Sequence, residues 1–305
     1  MKGFENRNLL ERDPYSKEVL EKLHKKAEKK IEPYRPNPED FRDIYGDGVD
    51  KDIADVAKLE ARFKREMEEL DDYSRERKEI KDMIAYVAEC IIGDQLSGAW
   101  LAGKGNCTPT SKSDDFTKGV DLMIEFPESD EPNKYLGLGI DITTSKDVAD
   151  IHKKLDRILN HDILRDQTVE VKYFESEDVK RSIEVPRVII ALQDDQLKKM
   201  FLQEDRNDKD GLANNTVQLI ILYQLQQQCT TFFKIAHRKD SFKAQLLYGR
   251  AQQMITEIIE EKQALFAANP RLLTEDAATM AIWEYCIKKE EDMGLGEEEF
   301  FSKVA

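Results

Sequence analysis

Cysteine is scarce in this sequence, and its four cysteines are scattered. Cys90, Cys107, Cys229 and Cys286 lie too far apart along the chain to have the spacing of a zinc motif. A disulfide framework is not indicated either, because such frameworks occur mainly in short, cysteine-rich secreted domains. We expect four reduced thiols and a cytoplasmic location.

Long hydrophobic runs are also missing. The most apolar run, 217–225, contains Gln218 and Gln224 and is far shorter than the ~20 residues that span a bilayer. Residues 1–13 are polar and lack the apolar stretch of a signal peptide. The sequence therefore predicts no membrane partner.

An excess of positive charge is the third absence. The 47 Lys and Arg residues stand against 62 Asp and Glu residues, which gives a formal net charge of −15. The chain as a whole is repelled by nucleic acid, so any contact with DNA or RNA must use a local basic patch. The charged fraction of 36% and the hydrophobic fraction of 40% are typical of a folded, largely helical protein.

Helical periodicity dominates both ends of the chain, while the middle third changes to short strands. Helices are predicted over 15–31 and about 53–96, and again over roughly 215–237, 240–266 and 275–292. We predict four regions: an N-terminal helical region (1–78), an α/β core (79–203), an acidic linker (204–214) and a C-terminal helical region (215–305). Apolar stripes on the C-terminal helices would suit a protein partner or a homodimer.

Two segments of the core, 119–126 and 135–143, alternate between apolar and polar residues and predict strands. The apolar faces are formed by Val120, Leu122, Ile124 and Phe126 in the first segment and by Leu136, Leu138, Ile140 and Ile142 in the second. The polar segment between them contains two prolines, which favours an antiparallel hairpin. Further strands are predicted over 168–174 and 187–192, and a helix capped by Thr144 and Asp147 follows the hairpin.

Each strand of the hairpin carries one aspartate on its other face. If Asp121 pairs directly with Asp141, their β-carbons lie about 4.5–5.5 Å apart, where like charges destabilise a sheet. A divalent cation would remove this repulsion. Gly137 and Gly139 are expected to leave the adjacent surface open to a ligand or a phosphate group.

These residues resemble the PD-(D/E)XK, or restriction-endonuclease-like, nuclease family over about residues 80–195. Asp121 matches the acid of the family's first motif strand, Asp141 in Gly-Ile-Asp-Ile-Thr matches the second, and Glu89 matches the acid of the preceding helix. The resemblance implies an α/β (α+β) fold with an αβββαβ core and a small mixed sheet. It also implies that Asp121, Asp141 and Glu89 hold Mg²⁺ or Mn²⁺ and that the protein cleaves phosphodiesters of DNA or RNA.

The sequence departs from the family pattern at Thr143, where the family has a lysine. Lys146, three residues later, is the predicted replacement as a catalytic residue, with Lys172 as another candidate. Asp114 and Asp115 are interpreted as turn residues.

We interpret Lys153, Lys154 and Arg157 as an ordinary exposed helix face. Met123 stands where a nucleotidyltransferase would need its second acid, which disfavours that activity. Two hypotheses stay open: a metal-dependent nuclease, and a non-catalytic scaffold that keeps the nuclease-like core and binds protein partners through its helical flanks.

Overall fold

A computed structural model of the chain describes residues 15–127, 135–144, 147–176 and 179–295. The fold is mixed α+β, as predicted. The helices are α1 (Lys17–Ile31), α2 (Arg42–Tyr45), α3 (Gly48–Glu68), α4 (Asp72–Gln95), α5 (Lys112–Lys118), α6 (Val148–Ile158), α7 (Asp194–Asp205), α8 (Lys209–Ala213), α9 (Val217–Arg238), α10 (Phe242–Glu261), α11 (Gln263–Ala267), α12 (Leu272–Glu275) and α13 (Ala277–Asp292). The strands are β1 (Asn106–Pro109), β2 (Leu122–Pro127), β3 (Tyr135–Thr143), β4 (Val169–Ser176), β5 (Val179–Val185) and β6 (Arg187–Ala191).

Within the described residues, β1, β2, β3 and β6 form one mixed sheet in that order. The pairs β1–β2 and β2–β3 are antiparallel, which confirms the predicted hairpin, and β3–β6 is parallel. The order α4, β1, β2, β3, α6, β6 matches the predicted αβββαβ core. Helix α5 and the separate β4–β5 hairpin are inserted into it.

The main hydrophobic core lies against one face of this sheet. Leu136, Leu138, Ile140 and Ile142 all belong to it, as their alternation predicts. The same core contains side chains from α1, α4, α9, α10 and α13. The N-terminal helices, the α/β core and the C-terminal helices therefore share one hydrophobic core.

Residues 204–214, which we expected to form a linker, contain the end of α7 and all of α8. The acidic character has a structural cause, because Glu204 is buried and lies 2.7 Å from Lys26 Nζ and 3.4 Å from Lys30 Nζ of α1. Glu204 and Asp205 of this run thus pair with lysines of α1, whereas Asp208 and Asp210 are exposed to solvent.

The helical stretch predicted over 53–96 is two helices, since Asp71 accepts a hydrogen bond from the Ser74 N–H at 2.9 Å and begins α4 anew. The predicted capping residue Thr144 is also wrong. Asp147 caps α6 instead, accepting from the Ala149 N–H at 2.8 Å. Two short strands, β1 and β5, were not predicted.

Val120 does not share the face of Leu122, contrary to the alternation. It packs in a second, smaller cluster with Met123 and Val185, on the side covered by the β4–β5 hairpin. The reason lies one residue earlier, where Gly119 ends α5 with φ of +66° and turns the chain before β2 begins. A left-handed conformation of this kind favours glycine.

The outer edge of β6 is covered by α9 through two glutamines one helical turn apart. Gln228 Oε1 accepts from the Ile189 N–H at 2.9 Å, and its Nε2 donates to the Ile189 carbonyl at 2.8 Å. Gln224 makes the same pair of hydrogen bonds with Ala191, at 2.9 and 2.8 Å. These side chains replace a neighbouring strand and satisfy backbone groups that an edge would leave unpaired.

Two expectations from composition also have structural counterparts. All four cysteines are buried free thiols. Across the described part of the chain, no helix has both the length and the hydrophobicity of a membrane span.

Candidate active site

The β2–β3 register places Asp121 and Asp141 at one end of the sheet. The paired register ends at Leu122 and Ile140, and Asp121 immediately precedes Leu122 while Asp141 follows Ile140. The Asp121 N–H donates to the Ile140 carbonyl at 2.8 Å, and Asp121 Oδ2 accepts from the Ile142 N–H at 2.6 Å. The Asp121 carboxyl group is thus fixed against β3 beside Asp141.

Glu89 reaches the same place from α4. One turn later in this helix Gly93 packs directly on Leu122, because a β-carbon at Gly93 would lie only 3.4 Å from Leu122 Cδ2. This close approach brings α4 onto the start of β2. Burial, together with the neighbouring carboxyl groups of Asp115 and Asp141, raises the pKa of Glu89 to about 8.

Asp115 of α5 is the fourth acid, and its carboxyl group hydrogen-bonds that of Asp121. Two carboxyl groups can share a hydrogen bond only if one of them carries a proton. Consistent with this, burial and then the charges of Glu89, Asp141 and Asp115 hold the pKa of Asp121 well above its usual range. Burial likewise raises the pKa of Asp115. We name Glu89, Asp115, Asp121 and Asp141 the carboxylate cluster.

Two cations face this cluster. Lys154 Nζ, from α6, donates to Asp141 Oδ1 at 2.5 Å and to the Ile142 carbonyl at 3.3 Å. On the opposite side, Arg35 Nη1 lies 4.0 Å from Asp115 Oδ2 and is held by the Thr110 carbonyl at 2.7 Å. The raised pKa values mean that the cluster holds protons at neutral pH, so a cation that binds these carboxylate oxygens has to displace them.

The structure brings Asp121, Asp141 and Glu89 to one site, whereas Lys146 lies outside the described residues. Lys172 is engaged elsewhere, because its Nζ lies 2.6 Å from Asp52 Oδ2. Asp114 is no exposed turn residue. It is buried and accepts from the backbone N–H groups of Lys172 and Tyr173, so that it ties α5 to β4.

The expectation that two glycines open the surface to a ligand is wrong. A β-carbon at Gly137 would lie 2.5 Å from Val185 Cγ1, and one at Gly139 would lie 3.1 Å from Val185 Cγ2. The glycines therefore let the β4–β5 hairpin pack closely on β3. Asp141, at the far end of this face, keeps 14% of its side chain exposed.

Lys154 and Asp115 are the site residues that sequence reasoning missed. A signal for Lys154 existed, since it lies three residues after Ile151 and four before Ile158, on the side of α6 that is buried. A lysine within an apolar stripe needs a partner, and Asp141 is that partner. For Asp115 the signal is weaker, because only the turn at Gly119 directs α5 back toward Asp121.

The donors of the carboxylate cluster are of the right kind for Mg²⁺ or Mn²⁺, which are bound by carboxylate oxygen. Their present arrangement is not a finished coordination sphere. Among the residues that the structure describes, no three His, Cys, Asp or Glu side chains converge closely enough to hold a metal ion. Two oxygens are also occupied, by the Ile142 N–H and by Lys154.

Comparison of the chain with protein-family models, with curated proteins and with solved structures finds no match.

Proposed function

We propose that this protein is a divalent-metal-dependent nuclease that hydrolyses phosphodiesters of DNA or RNA. The observation that carries the proposal is the contact between Lys154 and Asp141, beside Asp121 and Glu89. Lys154 supplies, from the following helix, the positive charge that Thr143 cannot supply from the strand. The site then has each kind of group that the nuclease pattern requires.

In the proposed reaction Asp121, Asp141 and Glu89 would hold Mg²⁺ or Mn²⁺. When bound, such an ion polarises the scissile phosphate and lowers the pKa of a water molecule. Lys154 would orient the attacking water and stabilise charge that develops on the phosphate oxygens. Asp115, through its hydrogen bond to Asp121, would position that carboxyl group.

One observation favours the second candidate, a non-catalytic scaffold that binds protein partners through its helical flanks. The four acids do not form a preassembled ligand set within the described residues. On this alternative the cluster is a structural remnant, and Lys154 serves only to neutralise Asp141. The two candidates differ in whether the cluster binds metal.

The deciding experiment is calorimetric titration of the protein with Mg²⁺ and Mn²⁺, with cleavage of single-stranded and duplex DNA and RNA followed in the same samples. The test variant combines Asp121→Ala with Asp141→Ala. The control combines Asp50→Ala with Asp55→Ala, which removes two charges from the surface of α3, where both side chains are exposed. Circular dichroism checks that each variant is folded.

The nuclease proposal expects metal binding and cleavage in the parent and in the control, and loss of both in the test variant. Absence of metal binding at millimolar concentration contradicts the nuclease and leaves the scaffold. Metal binding without cleavage of any of these nucleic acids contradicts the proposed activity as well.

A further inference from the structure

A basic groove lies next to the carboxylate cluster, in a chain whose net charge is −15. Two concave regions, of about 670 and 690 Å³, meet at Lys81 and Thr144. Together they are lined by the cations Arg77, Lys78, Lys81, Lys153, Lys154 and Arg157, and by the acids Asp150, Asp156 and Asp194. We name this surface the α4–α6 groove; its local balance of charge is opposite to that of the whole protein.

One wall of the groove is a stripe on α4 that recurs at every fourth residue. It runs through Tyr73, Arg77, Lys81, Ala85 and Glu89. Successive members of this row are neighbours on the helix surface, and over sixteen residues the row rises about 24 Å while it winds about 160° around α4. The stripe therefore leads from an exposed tyrosine, through two cations, to an acid of the carboxylate cluster.

The opposite wall is α6. Lys153 and Arg157 are exposed one helical turn apart, and Lys154 between them turns inward to Asp141. Within the described residues Arg77, Lys81 and Lys153 form no ion pair, while Arg157 interacts electrostatically with Asp162. Asp156, by contrast, is paired with Lys289 at 3.0 Å and accepts from the Tyr285 hydroxyl at 2.8 Å. The groove thus offers unpaired cations to an anionic ligand, while one of its acids is already compensated.

The end of the stripe distinguishes between polyanions. Tyr73 is 73% exposed at the start of α4. An exposed aromatic ring on a basic track is a platform for an unpaired base, and it has no comparable use in a base-paired duplex. The acidic charge of the rest of the chain would also repel the second strand of a duplex.

We propose that the α4–α6 groove binds single-stranded nucleic acid. The phosphates of the strand contact Lys81, Arg77 and Arg157. One of its bases stacks on Tyr73, about 24 Å along the helix axis from Glu89. Cleavage of the bound strand at the carboxylate cluster rests on the proposed function. Binding of the strand in the groove does not depend on that function.

The test is fluorescence anisotropy with a labelled oligothymidylate and with a DNA duplex of the same length, in EDTA so that no cleavage occurs. We expect the single strand to bind more tightly than the duplex. Arg77→Glu with Lys81→Glu should weaken this binding by tenfold or more and reduce its salt dependence, because two phosphate contacts are lost. Tyr73→Ala should weaken it about tenfold, and Tyr73→Phe, which keeps the ring, should restore it.

The matched control is Lys58→Glu with Arg62→Glu on α3. This pair has the same spacing, and both side chains are exposed and ion-paired. It makes the same change in net charge, so a general electrostatic effect would appear in both variants. Equal weakening in the two, tighter binding of the duplex, or no effect of the Tyr73 substitutions would overturn the proposal. Preference of the groove for an acidic peptide over the oligothymidylate would also overturn it.

Repeating the measurements with Mg²⁺ or Mn²⁺ separates the two proposals. Groove-dependent binding without cleavage contradicts the nuclease and leaves the groove as a nucleic-acid site. If cleavage is unchanged in the variant with Arg77→Glu and Lys81→Glu, the nuclease proposal stands and the proposal that the groove binds the substrate is contradicted.

Discussion

The ammonium group of Lys154 lies 2.5 Å from Oδ1 of Asp141, although the two residues come from different elements and stand thirteen positions apart. The strand position that would otherwise carry the lysine holds Thr143, which is buried. Because the cation lies on α6, its position depends on how α6 packs against the sheet. The spacing of residues within the strand alone therefore cannot predict this position.

Replacing Lys154 with methionine removes the charge but keeps most of the volume of the side chain. If Lys154 orients the water and stabilises developing charge, we expect cleavage to fall by about 100- to 1,000-fold, while Mg²⁺ and Mn²⁺ still bind. The measurement is single-turnover cleavage together with calorimetry on the same variant.

Lys22→Met is the matched control for this change. Lys22 also forms an ion pair of 2.5 Å, with Asp205, but on α1 and with its side chain 60% exposed. Its loss should leave cleavage unchanged. Equal cleavage by the Lys154 variant and the parent would mean that Lys154 only neutralises Asp141.

The carboxylate cluster should destabilise the metal-free protein. Asp121 is buried beside three other acids, and an asparagine in its place could still accept the hydrogen bond from the Ile142 N–H. We therefore expect Asp121→Asn to raise the free energy of unfolding by about 0.5–2 kcal/mol in EDTA, a gain typical of substitutions that relieve a functional site. Urea unfolding at neutral pH measures this.

Asp162→Asn is the opposite case. Asp162 is also a buried aspartate, but it lies 3.1 Å from Arg187 Nη2, and this arginine is buried as well. Removing one partner of a buried ion pair costs about 3–5 kcal/mol, since the other charge is left uncompensated. If both Asp121→Asn and Asp162→Asn destabilise the protein, then repulsion among the acids of the carboxylate cluster does not lower its stability.

Local patterns in the sequence predicted the elements that follow a simple period. Leu136 to Ile142 alternate as a half-buried strand should, and they enter the core on one face. By contrast, β1 is only four residues long and contains a proline, and β5 is interrupted by charged residues, so neither has a distinctive period. Both are stabilised by pairing with a neighbouring strand, which no local window contains.

The same distinction applies to the candidate site. Asp121 and Asp141 are brought together by a hairpin, which is a local structure. Lys154 and Asp115 reach the cluster through helix packing and through the turn at Gly119. The role of Gly137 and Gly139 could not be predicted, because Val185, which packs on both, lies more than forty residues later in the chain.

The two glutamines of α9 that cover β6 should be important for stability. Gln228→Met keeps the size of the side chain but leaves the N–H and the carbonyl of Ile189 unpaired in the interior. Each buried polar group without a partner costs about 1–3 kcal/mol, so we expect a loss of at least about 2 kcal/mol in the free energy of unfolding.

Gln227→Met provides the comparison from the adjacent position. Gln227 is also buried, but its Oε1 has no hydrogen-bond partner among the described residues. Its replacement should change stability by less than about 1 kcal/mol or increase it. Equal losses in the two variants would show that the hydrogen bonds to β6 are not the source of the effect.

Asp52 should make stability depend on pH in the acid range. Burial alone would raise the pKa of Asp52, but hydrogen bonds to its Oδ2 from Lys172 Nζ and from the Tyr173 hydroxyl, both 2.6 Å long, outweigh burial and lower it. A carboxyl group whose pKa is lower in the folded state stabilises the fold above its unfolded pKa of about 3.9. This contribution disappears as the pH falls through the lower, folded value. Asp52→Asn should therefore be less stable than the parent at neutral pH, and the difference should shrink below about pH 4.

Asp55→Asn is the control, since Asp55 lies one turn later on α3 with its side chain 40% exposed, against 22% for Asp52. The measurement is the free energy of unfolding in urea as a function of pH across this range. If the curves for the parent and Asp52→Asn are parallel, Asp52 has the same pKa in the folded and unfolded states. The link that Asp52 makes from α3 to β4 is then not electrostatic.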